Sequence, residues 1–135
     1  MAPVSGRQCP CGRQSGKRLP LAYNACCGPW LDHGQPAPDA ESLMRSRYTA
    51  FVLERADYLR ATWHASLRPM ALEFEPGVKW LGLEVRNARL TGIDTAEVEF
   101  VARQKPPHGP AQRLHERSRF VREGGHWLYV DGDAL

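Results

Sequence analysis

The chain predicts an α+β fold: a small cysteine-rich N-terminal knuckle, then two or three helices packed on a four-stranded antiparallel sheet. Three observations carry that expectation. All four cysteines fall within the first 27 of 135 residues, apolar residues recur at helical spacing between residues 39 and 64, and from residue 79 onward apolar and polar residues alternate.

The knuckle comes first. Cys9-Pro10-Cys11 and the adjacent Cys26-Cys27 are flanked by Gly12, Gly16 and Gly28. Each pair can turn two sulfurs toward one ion, so Cys9, Cys11, Cys26 and Cys27 are the expected ligands of one structural zinc with no open coordination position. Disulfides are the competing use of four cysteines, in three pairings, and the two within-pair bonds, Cys9–Cys11 and Cys26–Cys27, would require strained small rings. A Cys-x-x-Cys redox motif is absent. Iron–sulfur ligation also uses four cysteines and stands as the minor alternative. His33 could replace one ligand, but four thiols already fill a tetrahedron, so it is read as a surface histidine.

Composition and charge bound the rest. With 42% hydrophobic and 24% charged residues the chain reads as a globular domain, and no stretch approaches the ~20 apolar residues of a membrane span. Met1 to Gln8 has no apolar run, so no secretory signal is expected, and a reducing cytoplasmic location follows. The net charge of +3 is uneven: residues 1–31 hold Arg7, Arg13, Lys17 and Arg18 and no acid, while the remaining 14 bases and 15 acids sum to −1. Four thiolates around Zn²⁺ carry −2, which these bases balance. The same bases also suggest a small basic surface for docking on an acidic protein or RNA.

The body follows a linker. Gly34-Gln35-Pro36-Ala37-Pro38 punctuates the chain, dividing it into a knuckle at 1–33, a linker at 34–38 and a body at 39–135 that should fold independently. Asp39 can cap a helix with Glu41 in its first turn and Leu43, Met44, Phe51 and Val52 at helical spacing. Asp57 precedes Tyr58, Leu59, Thr62 and Trp63, a shorter helix ending near His64. Strand alternation then covers Lys79–Leu90 (through Leu81, Leu83 and Val85), Ala96–Gln104, Arg113–Arg122 and His126–Asp131, with Gly124-Gly125 as a hairpin turn.

One position breaks the pattern. At 100° per residue Arg47 falls between Leu43 and Phe51 on the stripe that should face the sheet, where a guanidinium needs a partner. Glu116, sharing a strand face with Leu114, Ser118 and Phe120, is one candidate and Asp131 on the last strand is another. The expectation is an Arg47 ion pair that fixes helix on sheet; the alternative is a polar floor in a cavity, with His64 as a further candidate. Trp63, Trp80, Trp127 and Tyr129 read as core, and the strand face of His115, Arg117 and Arg119 as solvated. No nucleotide-binding glycine loop, catalytic triad or His-x-x-x-His helix is present, so no catalytic residue is assigned.

Cys9-Pro10-Cys11-Gly12, Ser15-Gly16-Lys17, Tyr23 and Cys26-Cys27-Gly28 together resemble the SEC-C zinc motif known from the tail of the SecA translocation ATPase. The motif has about eight residues between its inner cysteines and this chain has 14, a longer loop within Arg13–Leu21. Leu43-Met44-Arg45-Ser46-Arg47-Tyr48, Tyr58-Leu59-x-x-Thr62-Trp63-His64, Trp80-Leu81-Gly82-Leu83, Val98–Arg103, Glu116–Phe120 and Tyr129-Val130-Asp131-Gly132 resemble the bacterial YchJ family. That resemblance covers nearly the whole chain and implies a nuclear-transport-factor-2-like body, a cone in which helices pack into a curved sheet. It implies a fold and a metal, and no activity. Three functions follow as expectations: a zinc-bearing interaction module docking on a protein or ribonucleoprotein; a small enzyme or ligand-binding protein using the cone's cavity; and, least favoured, nucleic-acid binding through the knuckle with Tyr23 or Trp30 stacking.

Overall fold

The computed structural model describes residues 6–135, so the first five residues of the knuckle as delimited above lie outside the described residues. Helices α1 (Gly28–His33), α2 (Ala40–Val52) and α3 (Ala56–Ala61) precede strands β1 (Lys79–Leu90), β2 (Thr95–Lys105), β3 (Gln112–Glu123) and β4 (His126–Ala134). The helices pack on an open antiparallel sheet of order β1-β2-β3-β4, as the patterning predicts. Helix α1 is an addition to the expected elements. Pro29 in its first turn, where a missing N–H is harmless, and Gly34 at its end in the left-handed region (φ +65) account for it.

Helix α2 is the centre of the molecule. Asp39 caps it, its carboxylate accepting from the Ser42 amide at 2.7 Å. The helix is buried nearly all round rather than along one stripe: Leu43, Met44, Ser46, Arg47, Tyr48, Thr49 and Ala50 are all buried. Ser42, Arg45 and Thr49 meet the knuckle, while Met44, Arg47, Tyr48 and Phe51 line a cavity against the sheet. At 100° per residue these two sets lie on opposite sides of the helix. Helix α3 begins at Ala56, with Asp57 in its first turn rather than at its cap, and ends at Ala61, earlier than expected. The chain leaves it to join β4: the Tyr129 amide donates to Thr62 O at 2.8 Å and the His64 amide to Tyr129 O at 2.7 Å.

Three bulges decide which side chains face inward. In β1 the register jumps between Trp80 and Gly82 and again between Val85 and Asn87. The first jump turns Trp80 toward the helices and leaves Leu81 53% exposed, so the expected alternation through Leu81 fails there. In β4, Tyr129 opposes Phe120 but Asp131 opposes Arg119, so Val130 is the extra residue and Asp131 is moved to the outer face. The β3–β4 hairpin closes through Gly124 (φ +58) and Gly125 (φ +81), two successive positive-φ positions that glycine supplies without strain. Among the described residues no helix is long and apolar enough to cross a membrane.

Candidate metal centre and cone cavity

The four cysteines converge. Their Sγ atoms all lie within 4.8 Å of one another, with Cys11–Cys26 at 3.5 Å and Cys26–Cys27 at 4.0 Å. A disulfide requires about 2.05 Å, so none of the four is bonded to another. For a metal bound at about 2.3 Å a tetrahedron of sulfurs has edges of about 3.8 Å, which these separations bracket. The donor set fits, and the cluster can hold one metal ion.

Local turns explain the convergence. Gly12, at φ +74, lets the chain fold back so that its amide reaches Cys9 O at 3.1 Å. A 3₁₀ turn over Tyr23–Ala25 delivers Cys26 and Cys27, whose main chain then opens α1. Gly28 is obligatory there, because a Cβ would lie 2.9 Å from Tyr23 O and 3.1 Å from its ring. The long loop between the inner cysteines is an ordered narrow hairpin: the Leu21 amide donates to Arg13 O at 3.1 Å, the Ser15 amide to Leu19 O at 2.8 Å. His33 is exposed and is not among the residues that could share a metal ion with the cysteines.

The cage is not a free appendage. Cys9, Cys11, Cys26 and Cys27 are all buried and belong to the same apolar cluster as Leu43, Met44, Val98 and Phe120. The Thr49 hydroxyl lies 3.4 Å from Cys27 Sγ, to which it donates, and 3.7 Å from Cys9 Sγ. Arg45 donates to Cys11 O at 3.1 Å and pairs with Glu41, and Arg13 donates to the Ser42 hydroxyl at 2.8 Å. Sequence patterning misses Arg45 and Thr49. Their only signal is a polar side chain in a helix that proves buried on every side. Thr49→Val keeps shape and removes the hydroxyl that donates to the Cys27 sulfur. It is expected to lower metal affinity on the order of tenfold, read by competition with a chromogenic chelator, with the fold intact.

The second feature is a cavity of about 250 Å³ between α2 and the sheet. Trp80, Phe100 and Leu114 line it with Phe120 and Tyr129, and the polar groups in its wall include Arg47, Glu116, Tyr48 and Ser118. Three of the four aromatic residues expected in the core (Trp63, Trp80 and Tyr129) therefore form wall of this cavity, while Trp127, 4% exposed, lies outside it.

Arg47 is 6% exposed and points between helix and sheet, but it pairs with neither expected carboxylate. Its Nη1 donates to Leu59 O at 2.8 Å and to the Thr62 hydroxyl at 2.7 Å. Its Cζ sits 5.0 Å from the Trp63 ring centre and 4.6 Å from that of Tyr129. Burial lowers its pKa to about 10, so the group still carries its charge at neutral pH. Carbonyl, hydroxyl and two π faces replace the predicted ion pair.

The other candidates divide. Glu116 faces the cavity as expected, and burial pushes its carboxyl up, but it has no ion-pair or hydrogen-bond partner among the described residues. Asp131 does not reach the cavity: the Val130 bulge sends it outward, where it accepts from Arg119 Nε at 2.6 Å. His64 also lies outside the cavity, held by Glu123 at 2.9 Å and the Ser66 hydroxyl at 2.7 Å. On the outer face His115 meets Glu99 at 2.8 Å and Arg119 meets Asp133 at 2.7 Å, so that face is neutralised locally.

Comparison with known proteins agrees with this architecture. Residues 39–132 match the family described as YchJ, middle NTF2-like domain. A UPF0225 protein of Polaromonas sp. (strain JS666 / ATCC BAA-500) is 66% identical, the alignment covering 97% of this chain and 96% of the relative. One from Xanthomonas campestris pv. campestris (strain 8004) is 52% identical over 91% and 92%. The solution structure of a SEC-C motif containing protein from Rhodopseudomonas palustris superimposes with a TM-score of 0.76 at 32% identity, covering 91% of this chain and 99% of that one. The crystal structure of a SEC-C motif containing protein from Psychrobacter arcticus gives 0.78 at 32% identity, covering 95% and 82%. With a four-cysteine cage at its N-terminus and an NTF2-like body over residues 39–132, the chain belongs to the YchJ family, grouped with the UPF0225 proteins.

Proposed function

We propose that this is a zinc-stapled protein whose body binds a small molecule in the cavity between α2 and the sheet. The observation that carries the reading is a 250 Å³ aromatic-walled cavity into whose lining a charged guanidinium and a lone carboxyl both project. Zinc is the metal in this reading because four thiolates within 4.8 Å of one another suit a single ion, whereas a multi-iron cluster spreads its ligands over several metals. Its role is structural, since all four positions are protein sulfur. A reducing, cytoplasmic setting fits thiols kept for metal rather than for disulfides.

The test is to plug the cavity without touching its charges. Leu114 is a half-buried part of the wall, with room for a larger side chain. Leu114→Trp should leave the melting temperature near that of the wild type and abolish binding of every hit from a ligand-observed NMR fragment screen. Binding that survives the plug places the hits elsewhere and removes the reading.

A second reading, docking of the knuckle on an acidic protein or ribonucleoprotein, rests on the exposed hairpin tip, where Lys17, Arg18 and the 61% exposed Leu19 stand together. Replacing Lys17 and Arg18 by Glu should then abolish partner capture while leaving fragment binding unchanged.

A further inference from the structure

The cavity's chemistry is asymmetric, and the asymmetry selects a ligand. Its wall contains one cation, Arg47, and one acid, Glu116, and the two are not paired with each other. Hydrogen bonds to the guanidinium run through Nη1 alone, leaving Nε and Nη2 without a partner among the described residues. Neither nitrogen is fully sealed, so this side-on edge opens on the cavity that Arg47 lines. Such an edge presents two parallel N–H donors, the geometry that grips a carboxylate through both oxygens. The Trp63 and Tyr129 rings, edge to face with centres 5.1 Å apart, meet the guanidinium together at 5.0 and 4.6 Å and hold it in place before any ligand arrives. Trp63 Nε1, in the same wall, is sealed from the cavity and takes no part in the grip.

We infer that the cavity takes a small organic monocarboxylate with an aromatic or apolar body, its carboxylate gripped by Arg47. The inference rests on the cavity being a ligand site, as proposed above, and adds the ligand's charge and shape. Arg47 is the one cation of the wall and its free edge can pair with one carboxylate. A phosphate dianion would bring a second charge against Glu116 with nothing to balance it. The remaining wall, with Trp80, Phe100 and Phe120, accepts a flat ring, and about 250 Å³ leaves room for one ring and a short arm. Glu116 then faces the ligand body, where it can accept an N–H or O–H.

Calorimetry and ligand-observed NMR on the full-length, metal-loaded chain test this with three matched probes. Phenylacetate should bind, phenylacetamide should bind on the order of tenfold more weakly, as expected for loss of a charge-assisted pair of hydrogen bonds, and phenethylamine should not bind. Arg47→Met should erase the acid's advantage and leave the amide's affinity as it was. Should that variant fail to fold, Glu116→Gln serves instead: acid binding must persist or strengthen once the cavity's acid is gone. Equal affinity for acid and amide, or preference for the amine, overturns the monocarboxylate while the ligand site stands. A carboxylate bound only as the C-terminus of a peptide, and never as a free acid, overturns the small-molecule source. Silence from all three probes and from the fragment screen overturns both inferences together.

Discussion

Chelating the metal should unfold the body along with the knuckle. The expected observation is a cooperative loss of β-strand signal in circular dichroism, together with exposure of Trp127, which lies 4% exposed at the start of β4. The composition of Gly34–Pro38 suggests instead that residues 39–135 would keep their fold alone. Burial argues against that independence. The cage sulfurs sit in one apolar cluster with Leu43 and Met44, and α2 touches them directly through Thr49 and supports the Cys11 carbonyl through Arg45. Gly12 approaches the backbone of β1, where a Cβ on it would lie 3.9 Å from Leu83 O. A structural zinc contributes roughly 10–16 kcal/mol, comparable with the entire stability of a small domain at about 5–15 kcal/mol. Its removal therefore leaves too little to hold α2 in place. Because Arg47 rides on the opposite side of that helix, loss of the metal should also abolish cavity binding. Elemental analysis of protein purified without added metal should find about one zinc per chain, and Cys11→Ser should behave as the chelated protein does. Strand amides that keep their hydrogen-exchange protection after chelation would restore two independent units.

Much of this architecture is legible in the sequence because it depends on local chemistry. Strand starts, the Asp39 cap and the Gly124-Gly125 turn follow from residue type and period, although β4 runs on to Ala134, three residues past the expected end at Asp131. So does the convergence of the four cysteines into one cluster able to hold a metal ion, since four thiols in one short stretch leave few alternatives. What the pattern does not show are events that depend on a neighbour. A bulge is set by pairing with the adjacent strand, so the alternation points Leu81 and Asp131 inward when the register turns both outward. The contacts of α2 with the cage are hidden because helical periodicity assumes one buried stripe, whereas α2 is enclosed by knuckle on one side and cavity on the other. Arg47 stands out of pattern in the sequence, but its partners are a main-chain carbonyl and aromatic faces, which no strand pattern reveals.

Those partners set the result expected for two substitutions at Arg47. Arg47→Ala should destabilise the protein by about 3–5 kcal/mol, whereas Arg47→Met should cost no more than about 2. Alanine removes the aliphatic stem and so enlarges an existing 250 Å³ cavity, besides leaving Leu59 O short of its donor. Methionine keeps most of the stem's volume. It forfeits the hydrogen bond to Leu59 O, worth about 1–3 kcal/mol if that carbonyl stays dry, and the two ring contacts, worth about 2 together. Against this it relieves the burial that depresses the arginine from 12.5 to about 10, a cost of about 3 kcal/mol. An Arg47–Glu116 or Arg47–Asp131 ion pair predicts otherwise, because methionine would strand a buried carboxylate at about 3–5 kcal/mol. The pH dependence has a definite sign. A base whose folded pKa is depressed destabilises the fold while it is protonated, and that penalty fades only as pH rises through about 10. The gap between wild type and Arg47→Met should thus stay constant from about pH 5 to about pH 9 and move in the wild type's favour above that. Urea titrations of both variants decide it: equal losses for Met and Ala would mean that Arg47 stands on a carboxylate after all.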